Sequence, residues 1–184
     1  MGAKGSAAEA MLRRRSHSSV GDEAPSEKEL LRLLEVAGTV ADHAALRPWR
    51  VIALRGEARE RVGRAIAEAT GATGSDAEKL ARKPLRAPLL LAVVVSPKPS
   101  GKVADWEQEA VASGVAHALS LLLDEAGWGV MWRTGHYTRS GAVHRAHELG
   151  PDERLMGWLY VGSRPEKKSG RRKPITARKH LTSL

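Results

Sequence analysis

Three short runs in this 184-residue chain carry side chains able to grip a phosphate and lie against a flat ring. Arg14-Arg15-Ser16 supplies guanidinium forks and a hydroxyl, the groups that bind a phosphate monoester in bidentate fashion. Trp132-Arg133-Thr134-Gly135 leaves a predicted strand and presents an indole, a cation and accessible backbone to a planar ring system. Between them, Asp42-His43 and then Pro48-Trp49 place a titratable pair and a rigid aromatic corner in one loop. Each run also has a plainer reading. Consecutive arginines serve as a solvated surface or a nucleic-acid contact, Asp-His as a closed turn, and Trp-Arg as a core residue followed by a solvated one.

Other chemistries lack their residues. With no cysteine, disulfides, thiolate metal sites and thiol nucleophiles are excluded, and a reducing compartment is the expected home. No G-x-S-x-G elbow, H-E-x-x-H pair or strand-bound G-x-G-x-x-G occurs, and Ser100-Gly101-Lys102-Val103 lacks the first glycine and final hydroxyl of a phosphate loop. His144 and His147 share a predicted helix face without a third ligand, so no metal site is expected and both read as solvated. The opening residues carry no apolar core, and the longest apolar stretch, 110–123, is broken by Ser113, His117 and Ser120 and is too short to span a bilayer. A cytoplasmic location is expected.

Of the net charge of +9, the stretch 163–184 holds +7, eight Lys and Arg against Glu166 alone, which leaves the rest of the chain nearly neutral. The length suits one domain. We read residues 1–8 as a disordered leader, 9–162 as the folded domain and 163–184 as a basic tail.

The elements that must position the three runs follow from capping and periodicity. A short helix is expected over 9–15, broken by Ser16-His17-Ser18-Ser19. Ser26 and Glu29 form a capping box ahead of the stripe Leu30, Leu33, Leu34 and Ala37, and this helix ends near Gly38. Pro48 forces Arg47 out of the helical region, so 42–49 is a loop entering a strand at 51–54. Helices are expected at 57–70 and, from a second box at Ser75 and Glu78, up to Pro84. The unbroken run 89–95 between Pro88 and Pro97 reads as a strand buried on both faces. The helix 106–126 is apolar on nearly every side and must be covered all round, in a core or between subunits. A strand at 130–132, a helix at 140–149 and a last strand at 155–161 complete an irregular order that favours an α+β fold.

Taken together and in this order, the three runs resemble the nitroreductase family, and most closely its compact branch of small bacterial FMN oxidoreductases. The likeness runs through Trp106-Glu107-Gln108-Glu109 and Gly127-Trp128-Gly129-Val130-Met131 to Trp132-Arg133-Thr134-Gly135, and covers residues 11–161. Two departures stand in the loop, Ala41 for proline and Arg47 for glutamine, and the arginine that usually follows Ser16 closely is missing.

The resemblance implies an α+β fold with a central mixed or antiparallel sheet flanked by helices, in an intertwined homodimer with FMN at the subunit interface. It gives Arg14, Arg15 and Ser16 to the FMN phosphate and ribityl chain. Thr39 and His43 become cross-subunit contacts, Pro48 and Trp49 shape the flavin pocket, and Trp132, Arg133 and Thr134 line it. The end of the long helix, 122–127, would lie near the nicotinamide nucleotide. His17, or a tail cation among Arg171, Arg172 and Lys173, would replace the missing arginine, and Arg15 or Arg133 would answer negative charge on the reduced flavin. The implied activity is NAD(P)H-dependent reduction of nitroaromatics, quinones or similar acceptors by a ping-pong mechanism, with no catalytic side chain because the cofactor carries the chemistry. Two alternatives remain: a basic-tailed dimer binding nucleic acid or another acidic partner, and a flavin-binding member of the fold without reductase activity.

Overall fold

In the computed structural model, which describes residues 6–166 and 174–184, the continuous run 89–95 explains the architecture. It forms strand β2 (Leu89–Val95), every residue of which is buried. Leu90, Ala92 and Val94 enter one core while Leu89, Leu91 and Val93 enter a second. That two-sided burial is what a strand without alternation requires, since successive side chains point to opposite faces.

Around β2 the sheet is built from β1 (Trp49–Leu54), β3 (Trp128–Arg133) and β4 (Arg154–Ser163), in the order β1-β2-β4-β3 with every pairing antiparallel. Helices α3 (Glu57–Thr70) and α6 (Gly141–Ala146) cover one face, through Val62, Ile66 and Val143. Helices α2 (Glu27–Ala37) and α5 (Asp105–Glu125) cover the other, through Leu30, Val115, Leu119 and Leu123. Helix α1 (Ala7–Arg13) packs on α5, and α4 (Gly74–Ala81) packs on α3. The α+β expectation holds, with the sheet wholly antiparallel.

Several local expectations are corrected. A capping box of Ser6 and Glu9 starts α1 at Ala7, so Ala7 and Ala8 are helical, and Arg14 and Arg15 follow the helix instead of ending it. Ser26 caps α2 through the Glu29 amide, but the Glu29 carboxylate turns to the Trp128 indole at 2.8 Å. Helix α4 begins at Gly74 with Thr73 at its cap, and Ser75 lies inside it. Helix α6 stops at Ala146, short of 149, and Glu148 takes a left-handed φ of 51°. Ser163 belongs to β4 rather than to the tail. Within the chain α5 is buried on one face only. Trp106 is 72% exposed, and Ala110 and His117 are exposed as well.

Candidate functional site

Strand β3 lies at the edge of the sheet, where its last residues are half-buried and their side chains alternate between the two faces. Trp132 turns to the α5 face, where its ring meets His117 edge to face with centroids 5.0 Å apart. Arg133 turns to the opposite face, with its guanidinium carbon 5.2 Å from the centre of the Tyr160 ring.

Two concavities meet at Trp132. The first, of about 400 Å³, is lined by Met11, Arg14, Ser16, His117, Ser120 and Leu121 as well as Trp132. It joins the Arg-Arg-Ser turn to the indole. The second, of about 270 Å³, adds Lys83, Arg86 and Arg133 beside Tyr137 and Tyr160. Neither lining contains a carboxylate. Burial pushes the Tyr160 hydroxyl up to about 12, so it stays protonated and able to donate. Trp132 Nε1 and Arg133 Nε are buried without a hydrogen-bond partner.

The turn after α1 distributes its cations unequally. Arg15 Nη1 donates to the carbonyls of Leu12, Arg13 and Arg14, at 2.6, 3.3 and 3.0 Å, and so closes the end of α1. Arg14 and Ser16 face the first concavity, with Arg14 Nη1 and Ser16 Oγ 3.5 Å apart. His17 is not among the residues that line the first concavity. Its ring is buried beside Asp124, and burial followed by the Arg164 charge holds it below the ordinary histidine range. Arg171, Arg172 and Lys173 lie outside the described residues. On the other face Arg133 Nη2 donates to the Ser18 carbonyl at 3.2 Å, which brings a cation to the segment that follows Ser16.

Within the chain, the Asp42 loop stands apart from this site. Asp42 accepts from the Arg47 amide at 2.7 Å and its carbonyl accepts from the Ala45 amide, while Ala44, Ala45 and Arg47 adopt left-handed φ values of 62°, 51° and 49°. Asp42 is therefore the closing residue of a tight turn. His43 Nδ1 lies 3.0 Å from Glu107 Oε2, a pairing that holds the Glu107 carboxyl below its ordinary value. This pair borders a third, open concavity of about 560 Å³ with Asp42, Trp106, Ala110 and Val111. Thr39 caps the end of α2 through the Val36 carbonyl. Pro48 is buried, and Trp49 packs on Gly38, where a β-carbon would meet the ring at 2.9 Å.

The structure therefore brings Arg14, Ser16 and Trp132 together, sets Arg133 and Thr134 in the adjoining concavity, and leaves Thr39, His43, Pro48 and Trp49 elsewhere on the chain. Sequence reasoning missed His117, which it took as a break in an apolar run, Lys83, which it took as a helix end, and Arg86, to which it gave no role. It also misjudged His147, which is 3% exposed and hydrogen-bonded to Trp158. Among the described residues, no group of three His, Cys, Asp or Glu gathers as metal ligands, and no helix is long and apolar enough to cross a membrane.

Comparison with known proteins gives this arrangement a context. The model of the nitroreductase family matches residues 11–163. The Escherichia coli K12 protein "Putative NAD(P)H nitroreductase YdjA" is 32% identical over 160 residues, which is 85% of this chain and 87% of the relative. The Haemophilus influenzae protein "Putative NAD(P)H nitroreductase" is 25% identical over 93% of this chain and 95% of its own length. Among solved structures, a nitroreductase-like family protein from Bacillus cereus superposes with a TM-score of 0.85 at 21% identity, covering 100% of this chain and 98% of the other. The FMN- and NADPH-dependent nitroreductase NfnB from sphigopyxis sp. strain HMH gives 0.73 at 20% identity, covering 97% and 99%. The extent of the family match, the identity to the Escherichia coli relative and the shared fold establish that this chain belongs to the nitroreductase family of oxidoreductases.

Proposed function

We propose that the chain is an FMN-dependent enzyme that takes electrons from NADH or NADPH and passes them to a nitroaromatic, quinone or similar acceptor, the two substrates using the site in turn. The observation that carries this reading is the position of Trp132 between two carboxylate-free concavities with cations at both ends. FMN joins a flat ring system with carbonyls on its pyrimidine edge to a ribityl phosphate, and the donor set fits it. Arg14 and Ser16 suit the phosphate, Trp132 and the backbone to Thr134 suit the ring, and Lys83, Arg86 and Arg133 suit the carbonyl edge. The buried and unpartnered Nε1 of Trp132 and Nε of Arg133 are donors that such a ligand would satisfy.

Bound FMN supplies the hydride and electron chemistry, and the protein supplies placement and electrostatics. Arg15 holds the turn that aims Arg14. Arg133, fixed between the Ser18 carbonyl and the Tyr160 ring, keeps a positive charge where the ring would gain negative charge. Protonated Tyr160 adds a donor on the same side.

A homodimer completes the site. Glu107, beside His43, and Leu121, beside Ser16, are fourteen residues apart on α5, about 21 Å at the helical rise. Antiparallel pairing of two α5 helices across a two-fold axis would carry one protomer's Thr39 and His43 to its partner's Trp132, and would cover Trp106 and Ala110. Pro48 and Trp49 would then set the angle of that loop.

The test is the visible spectrum of the purified protein, followed by anaerobic addition of NADH and then NADPH. A flavin spectrum that bleaches with either donor supports the reading. A flavin spectrum that neither bleaches indicates a binding member without reductase activity. A colourless protein that refuses added FMN refutes the reading.

A further inference from the structure

We infer that the acidic pair Asp124-Glu125 at the end of α5 is a clamp that positions the phosphate-binding turn. The inference rests on the reading of Arg14 and Ser16 as the FMN phosphate site. The residues flanking that turn each lie against one member of the pair. Arg13 Nη2 lies 3.5 Å from Glu125 Oε1 on one side, and His17 Nε2 lies 3.8 Å from Asp124 Oδ1 on the other. Arg14, Arg15 and Ser16 thus lie between an ion pair at Arg13 and the buried His17, whose ring packs against Asp124 beyond hydrogen-bond distance and whose amide donates to the Val130 carbonyl at 2.9 Å.

The pair has no local reason to be acidic. The last turn of a helix carries partial negative charge and favours cations, yet α5 ends in two carboxylates and no base. Asp124 is also only 7% exposed, so its charge must be answered by protein. Arg164 answers it, with Nη2 at 3.4 Å from Oδ1 and a further bond to the Asp124 carbonyl. His17 is held below its ordinary range by burial and by Arg164, so near neutral pH it contacts Asp124 as a neutral ring. Local rules broken in this way, at residues that contact the flanks of a binding turn, mark a positioning role.

The test compares FMN with riboflavin, which lacks the phosphate, in the full-length protein. Dissociation constants are measured by fluorescence for wild type, D124N, E125Q and the double variant, together with the ³¹P shift of bound FMN and the melting temperature without flavin. The double variant is expected to bind FMN about tenfold or more weakly, because small displacements of positioned groups are costly. Riboflavin affinity stays within about twofold of wild type, and the ³¹P signal moves. The partly exposed E125Q change keeps the fold and shows the same trend in smaller measure. An unchanged ratio of FMN to riboflavin affinity with an unmoved ³¹P signal overturns the clamp. Failure of the wild type to bind either flavin overturns the functional reading beneath it.

Discussion

Gly157 and Trp132 are in such close approach across the β3–β4 pairing that a β-carbon on Gly157 would come within 2.9 Å of the indole Nε1 and 2.5 Å of the Arg133 carbonyl. The glycine holds a φ of 135°, in a region that side chains avoid, and sits where the β2–β4 register shifts beside Val93. This irregularity lies directly against Trp132, Arg133 and Thr134. Gly157→Ala should therefore cost about 2 kcal/mol or more, which lowers the melting temperature by roughly 4–8 °C for a chain of this size. It should also weaken flavin retention. A melting curve like the wild type's would show that β4 tolerates the side chain and does not fix the site.

His147 predicts a loss of stability in mild acid. Its Nδ1 donates to the Val143 carbonyl at 2.7 Å, and its Nε2 accepts from the Trp158 indole at 2.8 Å, so both nitrogens are committed in the neutral ring. Burial holds its pKa below the ordinary value, and His17 is shifted the same way. The unfolded chain takes up protons near pH 6.5 while the folded one resists, so stability is full above that pH and declines as pH falls below it. The slope is at most about 1.4 kcal/mol per pH unit for each histidine. Urea unfolding of wild type and His147→Gln between pH 7.5 and 5 measures it. The variant should start less stable and show a shallower slope; equal slopes would clear His147 of the effect.

Arg50 and Glu153 predict a second, lower window. The guanidinium grips the carboxylate through Nε and Nη2 at 2.7 and 2.6 Å, and the Gly150 amide adds a third donor. Arg50 lowers the Glu153 carboxyl to about 2. The stabilisation is present above the ordinary carboxylate range and is lost as pH falls from about 4.5 toward 2. Because Arg50 is 41% exposed, solvent screens the pair and Glu153→Gln should cost only about 1 kcal/mol at pH 7. Chemical denaturation at pH 7 and pH 3 checks the sign, since the gap between wild type and variant should narrow at the lower pH.

The sequence made legible what depends on local pattern. The apolar run 89–95 announced a doubly buried strand, and Ser26 marked the start of α2 because a hydroxyl there can reach a free amide. What it hid depends on tertiary placement. His147 looked solvated on a short helix, and only the approach of Trp158 from β4 buries it. Lys83 and Arg86 gained meaning when the turn after α4 came to lie beside β3. Trp132 and Arg133, adjacent in sequence, read as one patch, although the period-two alternation of a strand already implied that they face opposite sides. The Asp42 loop was joined to the site by the family resemblance alone, because within the chain it borders a different concavity toward the start of α5.

That division of Trp132 from Arg133 gives the most discriminating prediction, since the two concavities should serve different parts of one ligand. Arg14→Ala removes a charged donor from the phosphate side, a loss of about 1.5–3 kcal/mol, so FMN should bind tenfold to a hundredfold more weakly while riboflavin binding is unchanged. Arg133→Ala removes a cation from the ring side, where Tyr160 and the Ser18 carbonyl hold it. It should weaken FMN and riboflavin alike and move the flavin midpoint potential to more negative values, because negative charge on the ring is then less well answered. Fluorescence titration and spectroelectrochemistry of the two variants measure both effects. If Arg14→Ala changed both ligands equally, or Arg133→Ala left the potential unmoved, the assignment of phosphate and ring to opposite sides of Trp132 would be wrong.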